Sequence, residues 1–197
     1  MRIVFATGNQ NKVREIREIL GDIGCEVISM KEAGVNIDIV EDGTTFSENS
    51  MIKARAVAKL LPDDVVLADD SGLEVDYLGG EPGIYSARYM GEDTPYSIKN
   101  ANIIERLKEA KDEERSARFV CAISAVLPGG KTLSTLGKME GRIAYESAGS
   151  NGFGYDPIFF LPEYGKTSAE LSPEEKNAIS HRGKALREMA ALLKEEI

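Results

Sequence analysis

Two adjacent carboxylates, Asp69 and Asp70, stand in the run "ADDSG", directly after the apolar residues 65–68. A continuous apolar run of that length reads as a buried strand. Two like charges at its end repel each other and give the fold nothing that Asn or Ser would not supply, although one of them capping a turn is the plainer alternative. A cation between them and other acids removes the repulsion. Mg2+ suits such a place because it takes oxygen ligands, few carboxylates and several waters. Glu41, in "IVEDG", is a candidate second ligand from another segment.

A second polar stretch, "TGNQNK", joins the short apolar strand at residues 2–6 to an amphipathic run in which Val13, Ile16, Ile19 and Leu20 recur at helical spacing. A turn with a helix cap would satisfy that junction. The same residues also offer what a phosphate needs: N–H groups at a helix N-terminus, where the dipole favours anions, and Lys12 as a point charge. The second glycine and the Lys-Ser/Thr pair of a Walker A loop are missing.

Three further stretches carry candidate chemistry. "FGYDP" sets Phe153 and Tyr155 around Gly154. It is either a packed turn that Asp156 ties beside Pro157, or a platform on which Phe153 stacks a planar base for about 1–3 kcal/mol. "EEKNAISHRG" crowds Lys176, the single histidine His181 and Arg182 into seven positions of an acidic chain. A helix break near Ser180 would let Lys176 and His181 face one ligand, whereas an unbroken helix would leave a solvated face with Glu174 and Glu175 as ion partners. "ENSMIKAR" carries Glu48, Asn49 and Lys53, which matter only if that helix faces a site.

The elements that must position these groups alternate. After the first strand and helix, with Gly21 as its stop, residues 25–30 read as a strand. Thr45 and Glu48 have capping-box spacing before a helix expected to run to Leu61, ahead of Pro62. Residues 65–68 form a strand that Asp69 to Gly72 interrupts, with extended chain resuming at Leu73. Thr94 and Pro95 open a helix reaching about Lys111. Two strands around "PGG" form a hairpin, a short strand "IFFL" follows, and Ser172, Pro173 and Glu175 start one or two final helices, with Gly183 a candidate break. Strand–helix–strand order at the front implies parallel pairing there, and the hairpin implies antiparallel pairing later.

The chain has 197 residues, 42% of them hydrophobic, and a formal net charge of −9. It is long enough for one substantial core or two lobes sharing a sheet. The acidic balance argues against nucleic acid as a partner, and a polyanionic small molecule requires local cations or a metal. No apolar run approaches the roughly 18 residues needed to span a bilayer. The first apolar residues are too few for a signal peptide. Cys25 and Cys121 lack metal-ligand spacing and read as reduced, buried thiols of a cytoplasmic protein.

Taken in order, "TGNQNK", "TFSENSMIKAR", "ADDSGLEVDYLGGEPGIYSARY", "GFGYDPIFF" and "EEKNAISHRGKAL" cover nearly the whole chain. Together they resemble the Ham1/inosine triphosphatase family of non-canonical purine nucleoside triphosphate pyrophosphatases. The resemblance implies an α/β fold: a long mixed twisted β-sheet with flanking helices forming two lobes around a central cleft, the whole of 1–197 acting as one domain. It implies hydrolysis of ITP, dITP and XTP to the monophosphate and pyrophosphate with Mg2+, which cleanses the nucleotide pool, by a homodimer. Carried over by motif, Thr7, Gly8, Asn9, Gln10, Asn11 and Lys12 bind the triphosphate, with Gln10 and Asn11 at positions the family leaves variable. Glu41 and Asp70 hold the metal, Asp70 is also the base, and Lys53 and Ser71 touch phosphate. Phe153, Gly154, Tyr155, Asp156, Lys176, His181 and Arg182 form the base side.

Hypoxanthine and xanthine carry an oxygen at C6 where adenine carries an amino group. Donors left unpaired by adenine reject it by roughly 10⁴–10⁵ in a well-built site. Two other classes remain open. A HAD-type phosphatase with an aspartyl nucleophile wants Asp-x-Asp after an early strand, which this spacing does not match. A purine nucleotide-binding protein without turnover keeps the phosphate loop but gives the paired carboxylates no task.

Overall fold

Residues 3–6 are all buried, yet they divide between two cores. Ile3 and Phe5 join one apolar cluster, and Val4 and Ala6 another, because a strand sends successive side chains to opposite faces. The computed structural model describes residues 2–21, 24 and 26–196, so the expectation for Cys25 lies outside the described residues. Strand β1 (Arg2–Phe5) runs parallel to both β2 (Glu26–Ser29) and β3 (Val65–Val75), with Ile3 opposite Val27 on one side and Val65 on the other.

Four more strands complete the sheet: β4 (Ser116–Val126), β5 (Thr132–Ile143), β6 (Phe159–Leu161) and β7 (Lys166–Thr167). The order is β2-β1-β3-β4-β5-β6-β7, and β5–β6 and β6–β7 are antiparallel. The expected hairpin is present, with a tight turn in which Leu127 N–H donates to Lys131 O at 2.9 Å. The mixed parallel and antiparallel sheet expected from the sequence is therefore the one observed.

The chain divides into two compact units. The first takes residues 1–71, 121–137 and 181–197, and the second residues 72–120 and 138–180. In the first, α1 (Gln10–Gly21) and α5 (His181–Glu196) cover the Ile3 face of the sheet with Ile16, Ile19, Leu20, Leu186, Met189 and Leu193. Helix α2 (Phe46–Ala58) covers the Val4 face with Ala54 and Val57. In the second unit, α3 (Tyr96–Arg106) and the strands enclose Leu73, Val75, Ile103, Leu107, Phe119 and Phe159. The Phe119 and Phe159 rings lie 4.3 Å apart between centroids. The short helix α4 (Pro173–Ile179) opens with Glu175 N–H donating to Ser172 Oγ, as the cap pattern predicts.

Several boundaries differ from the sequence expectation. Strand β3 runs without interruption through Asp69 to Gly72, because both carboxylates meet cations inside the fold and need not leave it. Helix α2 stops at Ala58, and residues 59–61 tighten into a turn bonded to Arg55 O and Val57 O. Helix α3 stops at Arg106, where Leu107 N–H is shared between Ile103 O and Ile104 O. The last helical stretch breaks at Ser180, whose extended ψ of 154° ends α4, while Gly183 sits inside α5. Among the described residues no helix is long and apolar enough to cross a membrane.

Candidate active site

The alternation along β3 carries past its apolar residues into the acidic pair. Val65 and Leu67 face the α1/α5 core, and Val66 and Ala68 face the α2 core. Asp69 therefore turns to the first side and Asp70 to the second. Asp69, which is 0% exposed, meets Lys12 Nζ at 3.0 Å through Oδ2. The same oxygen accepts from Ser71 Oγ at 3.3 Å and lies 3.4 Å from Arg182 Nη2. Arg182 Nη2 also donates to Ser71 Oγ at 3.0 Å, and its Nη1 donates to Glu15 Oε2. Lys12 and Glu15 are three residues apart on α1 and so share one face. The result is a row of alternating charge: Lys12, Asp69, Arg182, Glu15. Burial opposes ionisation of Asp69, but the Lys12 and Arg182 charges outweigh it and hold the carboxyl well below its usual range.

On the other side of β3, Lys53 Nζ sits 2.7 Å from Glu41 Oε1 and 3.8 Å from Asp70 Oδ1. Asp70 Oδ2 is buried and has no hydrogen-bond partner among the described residues. Burial pushes the Asp70 carboxyl up to about 6; Lys53 and Lys12 oppose that shift, and Asp69 and Glu41 reinforce it. Lys53 itself is raised: burial disfavours its charge, and Asp69, Asp70 and Glu41 more than compensate.

These groups fit a hard divalent cation. Glu41 and Asp70 come from separate segments, both present oxygen, and Asp70 Oδ2 has an unused acceptor. The Lys53 ammonium already occupies ground between the two carboxylates. Among the described residues no group of three or more His, Cys, Asp or Glu is arranged for a metal. Two carboxylates with water completing the shell is the coordination that Mg2+ prefers.

The "TGNQNK" segment forms the entry to α1. Asn9 Oδ1 accepts from Asn11 N–H at 3.0 Å and Lys12 N–H at 3.3 Å, so Asn9 caps the helix. Thr7 Oγ1 accepts from Asn9 N–H at 3.2 Å. Gly8, Asn9, Gln10 and Asn11 are exposed around this positive helix end, and Lys12 points inward to Asp69.

At the start of α5, His181 and Arg182 are both buried. Gly137 on β5 lets that helix approach: a Cβ there would lie 2.1 Å from His181 O and 2.9 Å from Ala185 N.

In the second unit, Asp156 gathers the base-side candidates. Its Oδ2 accepts from Phe153 N–H at 2.9 Å and from Lys176 Nζ at 2.7 Å, and its Oδ1 accepts from Ser168 Oγ at 2.7 Å. Lys176 Nζ lies 5.1 Å from the Phe153 ring centroid, a cation–π contact. Tyr155 is packed rather than displayed, donating to Ser86 O at 2.6 Å and meeting Tyr96 edge-on at 5.2 Å. Gly154 O accepts from Asn100 Nδ2 at 3.1 Å. Lys176 thus pairs with Asp156 within this unit, while Arg182 pairs with Glu15 and Asp69 in the first.

The model of the Ham1 family matches residues 3–192. The chain belongs to the Ham1 family. It is 51% identical over 98% of its length to a dITP/XTP pyrophosphatase of Clostridium perfringens, covering 97% of that protein. The Ham1 protein of Staphylococcus aureus superposes with a TM-score of 0.87 at 43% identity, with all of both chains covered. A HAM1 protein from Coxiella burnetii gives 0.88 at 44% identity over 99% of each.

Four residues of this Ham1-family chain that hold the site groups were not singled out from sequence as doing so. Glu15 anchors Arg182, Asn49 bonds the Glu41 loop, Asn100 holds Gly154, and Ser168 completes the Asp156 shell. Glu15 did leave a signal, being a charge four residues before Ile19 on the apolar stripe of α1. Asn49 left one too, four residues before Lys53 on α2. The partners of Asn100 and Ser168 lie 54 and 12 residues away, and no local pattern marks them.

Proposed function

We propose that this chain hydrolyses non-canonical purine nucleoside triphosphates, with dITP, ITP and XTP as the substrate class, to the nucleoside monophosphate and pyrophosphate. The observation that carries the reading is the division of Asp69 and Asp70 across β3, each with its own lysine, in a chain so close to a dITP/XTP pyrophosphatase.

A triphosphate carries about four negative charges near neutral pH, and an acidic protein must meet them locally. Lys12, Lys53 and the N-terminus of α1 supply the positive charge, with Thr7, Gly8, Asn9, Gln10 and Asn11 presenting polar groups around that helix end. Ser71, held between Asp69 and Arg182, offers a hydroxyl beside them. Glu41 and Asp70 would hold Mg2+, which when bound polarises the attacking water and neutralises charge on the leaving pyrophosphate. Asp70 takes the proton from water as the new oxygen–phosphorus bond forms at the α-phosphorus and the bond to the bridging oxygen breaks. Without a cation, burial raises the Asp70 carboxyl to about 6, still ionised at neutral pH; a bound cation would lower that value, so its fitness as base rests on its place beside the metal.

In the second unit, Phe153 offers an aromatic face for a purine, and Gly154, Tyr155, Asp156 and Lys176 hold its backbone and charge. His181 and Arg182 are assigned to recognition of the base oxygen by family motif; the contacts of Arg182 with Glu15, Asp69 and Ser71 add a second role, holding Asp69. We further assign a cytoplasmic location and a homodimeric state, with 1–197 acting as one catalytic domain.

Product analysis by chromatography, with Mg2+ and a panel of nucleoside triphosphates, tests the reading. Monophosphate and pyrophosphate from dITP and XTP in preference to ATP are expected. Orthophosphate would point to a phosphatase of the aspartyl-nucleophile type, and binding without turnover to a nucleotide sensor.

A further inference from the structure

Helix α2 grips the segment that carries Glu41 at two points. Lys53 Nζ holds the Glu41 carboxylate at 2.7 Å. Four residues earlier on the same helical face, Asn49 Oδ1 accepts from Gly43 N–H at 2.9 Å. Asn49 is 1% exposed, so this amide is no solvated surface group. Gly43 packs directly on it: a Cβ at residue 43 would stand 2.7 Å from Asn49 Oδ1 and 2.8 Å from Glu48 Cβ. The next residue is tied as well, since Thr44 N–H donates to Glu48 Oε2 at 2.6 Å and Thr44 Oγ1 donates to the same oxygen at 2.9 Å. Glu48 N–H in turn donates to Thr45 Oγ1 at 3.1 Å. The chain at 43–45 is thereby fastened to the first turn of α2, and Glu41 lies two residues before the fastening.

We propose that Asn49 is a positioning residue for metal binding: by fixing the Gly43 backbone against α2 it holds the Glu41 carboxylate within reach of Asp70, and Lys53 completes the clamp. The chemistry is simple. A carboxylate on a loose loop loses conformational freedom when it binds a cation, and that loss weakens affinity. A buried side-chain amide bonded to the loop backbone removes most of it beforehand. Glu48 cannot substitute for Asn49, because its bonds fall on Thr44, one residue further from Glu41. This inference rests on the placement of the cation between Glu41 and Asp70 in the proposed function.

The test compares Asn49→Ala and Asn49→Asp with wild type in two measurements. One is the Mg2+ concentration for half-maximal dITP turnover. The other is the rise in melting temperature that Mg2+ produces without nucleotide. For Asn49→Ala we expect the half-saturating Mg2+ to rise about tenfold, with kcat at saturating Mg2+ within about twofold of wild type, and the Mg2+-induced rise in melting temperature to shrink. Asn49→Asp keeps an acceptor for Gly43 N–H and should restore most of the affinity; it also serves if the alanine variant does not fold. A lower melting temperature with unchanged Mg2+ dependence makes Asn49 merely structural and overturns the inference alone. A wild-type protein indifferent to Mg2+ in both measurements overturns the metal placement, and the inference with it.

Discussion

Asp69 and Asp70 are neighbours in sequence but face opposite sides of β3, Asp69 toward Lys12 and Arg182 and Asp70 toward Lys53 and Glu41. Their environments drive them apart. One carboxyl is held firmly ionised and the other is raised to about 6. Two adjacent acids pushed in opposite directions suit different tasks: Asp69 that of a fixed anchor for cations, and Asp70, in the function proposed above, that of the group exchanging a proton.

That division makes the proposed base a burden on the fold. The Asp70 carboxyl has its ordinary value at 3.8 and is raised to about 6 in the folded chain. The folded state therefore binds the proton more tightly than the unfolded state. Stability from this group falls as pH rises from about 4 to about 6, and the whole cost is present above that. Two pKa units amount to roughly 3 kcal/mol. In metal-free buffer at pH 8, Asp70→Asn is expected to melt above wild type, by a margin that shrinks toward pH 4. Its dITP turnover should fall by roughly 10²–10⁴. A margin that does not change with pH, or turnover that survives in the folded variant, would contradict the assignment.

Arg182 spans Glu15, Asp69 and Ser71 with a planar fork, which a lysine ammonium cannot reproduce. Arg182→Lys should cost about 3 kcal/mol in urea unfolding at neutral pH with an unchanged slope. The Asp69 carboxyl is held low in the native fold by Lys12 and Arg182, which outweigh its burial. That stabilisation is present above the unfolded value of 3.8 and is lost as pH falls below it. The deficit of the variant should therefore narrow in acid.

Gly137 allows the first turn of α5 to touch β5. A methyl group there would collide with His181 O at 2.1 Å, and backbone on both sides leaves no flexible atom to yield. Gly137→Ala is expected to displace the start of α5, to cost about 1–3 kcal/mol and to lower turnover through Arg182. A variant with native stability and native KM would show that the helix start is softer than its packing indicates.

Asp156 accepts from Phe153 N–H, Ser168 Oγ and Lys176 Nζ while 2% exposed. Removing it takes the paired carboxylate away from the buried Lys176 ammonium. Asp156→Ala should lose about 3–5 kcal/mol. Asp156→Asn, which keeps an acceptor for one donor but loses the charge, should fall between the two. Calorimetric melting of both variants checks the order.

The sequence alone determined the strand and helix succession apart from β7 and the number of final helices, the capping of α4 by Ser172, the parallel start of the sheet and its later hairpin, and the short stretches that carry the candidate chemistry. Each of these depends on contacts within a few residues, or on a periodicity of two or 3.6, and such signals are written locally. It misread residues 69–72 as a break, because charge usually marks the end of a buried strand, and nothing near Asp69 in sequence announces that Lys12 and Arg182 arrive from 57 and 113 residues away. Only the tertiary structure decided which cation each carboxylate meets, that Glu15 braces Asp69 through Arg182, and that Asn49 ties down the loop bearing Glu41. Those choices depend on how α1, α2 and α5 lie on the two faces of β3, and burial then sets how strongly each charge is felt.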